Sequence, residues 1–91
     1  MNFKKEIIYR QIGAKIVYYR TLQHMTQAEL AEKIHMSQSS IGRIERGKYN
    51  NGISISTLLD IAEGLNINAA SLITFSEEEE QLCLAVRKEF K

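Results

Sequence analysis

Gln38, Ser39, Gly42 and Arg43 are small or hydrogen-bonding residues that a helix would turn outward together. A glutamine amide pairs with adenine through N6 and N7, an arginine guanidinium pairs with guanine through O6 and N7, and serine adapts to either. No acidic side chain interrupts this run until Glu45. Gly42 costs a helix interior roughly 1 kcal/mol relative to alanine, and it permits close approach of a phosphate or a thymine methyl. A polar outer face is also what any solvated helix shows. On their own, these residues leave base reading and plain surface equally open.

The elements that would position them span Thr26 to Lys48, TQAELAEKIHMSQSSIGRIERGK. Thr26 and Glu29 have the T-x-x-E spacing of a capping box, in which hydroxyl and carboxylate each take one orphan amide. Leu30, Ala31 and Ile34 follow at helical spacing, with Glu29, Glu32 and Lys33 outside. The pattern breaks at His35-Met36, and Ser37 offers a new N-cap. A second helix from Gln38 to Glu45 would turn Ile41 and Ile44 inward and stop at Gly47. Two helices this short, this closely linked, must cross steeply as in a helix-turn-helix.

The stretch resembles the DNA-binding domain of phage repressor and Cro proteins, the XRE-type helix-turn-helix. The matching residues are Gln27-Ala28-Glu29-Leu30-Ala31, Ser37-Gln38-Ser39-Ser40-Ile41 and Ile44-Glu45-Arg46-Gly47-Lys48, within a likeness that runs from Ile12 to Phe75. The resemblance implies five short helices, with the third in the major groove. It implies that Gln27 meets a phosphate while bracing Gln38, whose amide reaches a base. Arg43 is then a base reader, and Lys48 and Asn50 lie near the DNA backbone. The candidate DNA-binding residues are therefore Gln27, Ser37, Gln38, Ser39, Ser40, Arg43, Lys48 and Asn50. Arg20 and Glu45 match a buried ion pair of some members. The chain departs from the pattern at His35, where glycine is usual in the turn; that position needs positive φ, which histidine only tolerates.

Net charge is only +1, but it is unevenly spread. Residues 1–50 carry nine Lys or Arg and four Glu (+5), whereas residues 51–91 carry three Lys or Arg and seven Asp or Glu (−4). The basic half holds the proposed reading head, and local field matters to DNA more than total charge. Ninety-one residues, 44% apolar and 25% charged, suit one small globular domain. No apolar run approaches the roughly 20 residues a membrane helix needs, and the N-terminus does not resemble a signal peptide. A lone cysteine, Cys83, fits a reducing compartment, and we expect a cytoplasmic protein. His24 and His35 have no partners at metal-ligand spacing. No triad, phosphate loop or ligand cluster suggests an enzyme, and no cofactor is expected.

Along the chain, Asn2 can cap a first helix from Phe3 to Leu22, with Ile7, Ile8, Ile12, Ile16 and Tyr19 as its apolar stripe. Lys4, Lys5, Arg10 and Lys15 are expected on its solvated faces. Tyr18 and Tyr19 are read as packing at the core edge rather than stacking on bases. Ser54 looks like the N-cap of a fourth helix whose Ile55, Leu58, Leu59, Ile61, Ala62 and Leu65 would centre the core, ended by a left-handed Asn66. Asn68 opens a short fifth helix bearing Leu72 and Ile73. Ser76 and Glu79 form a second capping-box pattern for a helix to Phe90, with Leu82, Cys83, Val86 and Phe90 on one side.

The expected fold is all-α: a five-helix repressor-like helix-turn-helix domain over residues 1–75, with an added C-terminal helix over 76–91 in the same compact unit. That helix is expected to do some of both, packing on Ile7 and Ile8 and forming a homodimer, which would read a pseudo-palindromic operator in double-stranded DNA. The expected function is sequence-specific transcriptional regulation, chiefly repression. The alternative is an antitoxin or anti-regulator whose acidic C-terminal helix binds a partner protein. No membrane partner is expected.

Overall fold

The computed structural model describes residues 3–48 and 52–74, and the side chains from Lys5 onward. These residues form five helices: α1 (Phe3–Leu22), α2 (Gln27–Ile34), α3 (Gln38–Glu45), α4 (Ile55–Leu65) and α5 (Ala70–Ile73). The starts follow the capping signals. Thr26 Oγ1 accepts the Glu29 amide at 3.0 Å while Glu29 Oε1 accepts the Thr26 amide at 2.8 Å, completing the box that opens α2. Ser37 accepts the Ser40 amide to open α3, and Ser54 accepts the Thr57 amide to open α4. At α5, Asn68 Oδ1 accepts the amide of Ala70.

The ends share one device. After each of the first four helices a residue takes positive φ: His24 (56°), His35 (60°), Gly47 (71°) and Asn66 (58°). The next amide then reaches back to a carbonyl five residues earlier: Met25 to Arg20, Met36 to Ala31, Lys48 to Arg43 and Ile67 to Ala62. These are Schellman closures, and they satisfy carbonyls that a helix end leaves orphaned. His35 adopts the left-handed conformation expected of the glycine it replaces. His24 does the same, a turn the sequence did not signal.

Every helix sends a fully buried side chain to one core: Ile16, Leu30, Ile41, Ile61, Leu65 and Leu72. Helix α1 packs on α3, α4 and α5, and α2 packs on α3 and α4. Tyr18 and Tyr19 meet edge to face, 5.2 Å apart, and Tyr19 packs against the core. Gly13 permits the close crossing of α1 and α3, since a Cβ there would sit 2.6 Å from the Ile44 carbonyl oxygen and collide with that of Glu45.

Three expectations about burial are corrected. Lys15 is not a solvated charge; it is buried, and its Nζ donates to the Thr74 carbonyl, tying α1 to the end of α5. Its stem is withdrawn from solvent while its ammonium reaches a backbone acceptor. Ile55 and Leu59 are not core residues: they are 70% and 54% exposed, because α4 buries only the face carrying Leu58, Ile61, Ala62 and Leu65. Ile7 and Ile8 are likewise exposed in the first turns of α1, as is Ile73 on α5. Asn2, Asn50 and the C-terminal segment with its capping pair and Cys83 lie outside the described residues.

A left-handed histidine carries a Cβ penalty of about 1 kcal/mol that glycine does not. His35→Gly should therefore raise stability by up to about 1 kcal/mol, moving the melting midpoint up by a few degrees. Calorimetry of the two proteins checks this, and an unchanged or lower midpoint would show that the His35 side chain compensates for its own backbone.

Candidate nucleic-acid interface

A buried ion pair stands behind the outward face of α3. Glu45 ends that helix turned inward, with its side chain 4% exposed. Arg20, from the last turn of α1, meets it in a fork: Nε donates to Oε2 at 2.8 Å and Nη2 to Oε1 at 3.1 Å. Arg20 Nη1 also donates to the Met25 carbonyl at 2.8 Å, fixing the turn into α2. One guanidinium thus joins α1, the α1–α2 turn and the end of α3. The pair expected from the sequence is present.

The network continues outward. Gln27, first residue of α2, donates Nε2 to Glu45 Oε1 at 2.8 Å. Its Oε1 accepts Gln38 Nε2 at 3.5 Å, a long bond between two surface amides. Here the first residues of α2 and α3 meet, and an open cleft of about 470 Å³ begins, lined by Gln27, Gln38, Ser39, Gly42, Arg43 and Arg46. Four of the expected residues (Gln27, Gln38, Ser39 and Arg43) therefore share one concavity.

Others sit beside it. Ser37 Oγ caps α3 and donates to Ser40 Oγ at 2.9 Å. Arg43 Nη2 reaches Ser40 Oγ at 3.4 Å, resting along its own helix. Lys48 is exposed just past the glycine that ends α3. Arg46 was not among the expected site residues, yet it lines the cleft. Its Nη1 would lie 3.3 Å from a Cβ on Gly42, so the missing side chain leaves room for the guanidinium against the helix. Its place beside the Glu45-Gly47 signature suited a helix end and hid the second use.

Chemically, the cleft offers amide donors and acceptors, a hydroxyl and two guanidinium groups, while the only acidic residue of α3 is buried beneath it. Two short packed helices joined by a tight turn, with that polar and basic face on the second, define a DNA-binding helix-turn-helix. A helix-turn-helix family profile matches residues 16–72, and the chain belongs to that family, in its XRE-type branch of transcriptional regulators. The family's members are regulators rather than enzymes.

Among relatives, an uncharacterized HTH-type transcriptional regulator of Methanocaldococcus jannaschii is 31% identical over 65 residues, covering 71% of this chain and 96% of that protein. The immunity repressor protein of Bacillus phage phi105 is 36% identical over 72 residues, covering 76% of this chain but only 49% of the repressor. Among solved structures, the restriction-modification controller protein C.AhdI of Aeromonas hydrophila superposes with a TM-score of 0.66 at 28% identity, covering 70% of this chain and 94% of that one.

Removing Arg20 strands a buried carboxylate. Arg20→Ala should cost roughly 3–5 kcal/mol, as breaking one side of a buried pair does elsewhere. Urea unfolding measures it, and a loss below about 1 kcal/mol would mean that the pair does not brace the fold.

Proposed function

We propose that this protein is a sequence-specific repressor that occupies an operator as a homodimer, with α3 in the major groove of DNA. Gln38, Ser39 and Arg43 read base edges; Gln27, Ser37, Ser40, Lys48 and Asn50 hold phosphates and fix register. The observation that carries this reading is the convergence of Gln27, Gln38, Ser39 and Arg43 on one cleft backed by a buried ion pair. Such braced side chains lose less conformational freedom on binding than free ones. Arg46 adds a further basic group on the same face.

The repressor assignment draws on likeness to the phage immunity repressor, and occupancy of an operator needs no further chemistry. The exposed Ile55 and Leu59, one turn apart on α4, and Ile73 on α5 support association of two copies. A two-fold pair would set its recognition helices roughly 34 Å apart, one turn of DNA.

Two substitutions separate base reading from phosphate anchoring. Arg43→Ala should lose about 1–3 kcal/mol on the preferred duplex and relax preference at one base pair. Lys48→Ala should weaken all duplexes alike and reduce the salt slope by about one unit. Fluorescence anisotropy on preferred and scrambled duplexes, at several salt concentrations, distinguishes them. Equal loss on every sequence for Arg43→Ala would remove it from the reading set.

A further inference from the structure

Hydrogen-bond polarity runs in one direction from the core to the surface. A carboxylate only accepts, so the Gln27 amide must turn its nitrogen toward Glu45, as it does at 2.8 Å. That leaves Gln27 Oε1 facing Gln38, an acceptor that only the nitrogen of the Gln38 amide can satisfy, at 3.5 Å. One Gln38 N–H is then committed, while its second N–H and its Oε1 remain to face outward. These are the donor for adenine N7 and the acceptor for adenine N6. The opposite rotamer would aim oxygen at oxygen within the pair and reverse the outward pattern.

We infer that Glu45, although buried and out of reach of DNA, is the positioning residue that makes Gln38 an adenine reader, acting through Gln27. Arg20 holds that carboxylate in place with two bonds, so the polarity originates in the fold. Glu45 thus selects a base without touching it. The inference rests on Gln38 reading a base, as proposed above.

The test uses the full chain and four duplexes that differ only at the base pair facing Gln38. The wild-type protein should prefer adenine there by roughly 5- to 150-fold, and Gln38→Ala should abolish the preference. Glu45→Gln presents an amide that no longer dictates the Gln27 orientation, so adenine preference should fall at least about fivefold more than affinity for scrambled DNA does. In a Gln27→Ala background the same change should leave the remaining preference unaltered, because the connecting amide is gone.

Full adenine preference in Glu45→Gln, or an equal fall with and without Gln27, would overturn the inference while leaving base reading by Gln38 intact. No preference in the wild-type protein would overturn both. Should Glu45→Gln fail to fold, exchange of the Gln27 side-chain amide protons in the wild-type protein decides the matter. Protection well beyond that of free glutamine supports the bond to Glu45, and exchange at the free rate overturns it.

Discussion

The structure depends on a carboxylate that water does not reach. Glu45 sits at the end of α3 with a side chain 4% exposed, and a buried charge is tolerable only when its lone pairs are taken. Arg20 and Gln27 take them, and in doing so fix where α1 and the start of α2 lie relative to α3. Gly13 completes the arrangement by letting α1 press against the α3 carbonyls. Such a pair adds little net stability over well-packed apolar residues, because desolvation offsets most of the attraction. What it supplies is geometry. A misplaced α3 would leave Glu45 uncompensated, so alternative packings are penalised more heavily than the native one is favoured.

That geometry matters because α3 has only eight residues. A helix this short is not stable alone in water; it exists because Ile41 and Ile44 are buried and its two ends are closed by Ser37 and Gly47. The same closure makes its outward face stiff. The acidic residue of α3 is turned inward and paired, so Arg43 and Arg46 meet no competing negative charge on that helix. Core packing, end closure and charge placement thus converge on one surface that is polar, basic and held in register.

Much of this was legible in the residues. Capping signals at Thr26, Ser37 and Ser54, and the left-handed signals at Gly47 and Asn66, mark helix ends because they act within a few residues. The Gln27–Gln38 contact and the Arg20–Glu45 pair were available only through resemblance, since nothing local joins positions so far apart in sequence. Burial was read less well. Apolar spacing shows that Ile55 and Leu59 belong to α4, but not that its core face is narrow enough to leave them outside. Lys15 carries the opposite lesson: a long stem packs like a hydrophobe when its ammonium finds an acceptor, here the Thr74 carbonyl, which sequence spacing cannot reveal. Gly13 and His24 gave no signal because their roles depend on another helix and on a backbone angle.

The most direct test of the account is selection from a pool of randomised duplexes, followed by anisotropy on the enriched sequences across a salt series. A braced reading head in a two-fold pair should select a shared motif with adenine at one fixed position, in two half-sites about one helical turn apart, bound with a steep fall in affinity as salt rises. Equal binding to enriched and unselected duplexes would contradict it, because the braced Gln38 amide and the Arg43 guanidinium of α3 would then be distinguishing nothing.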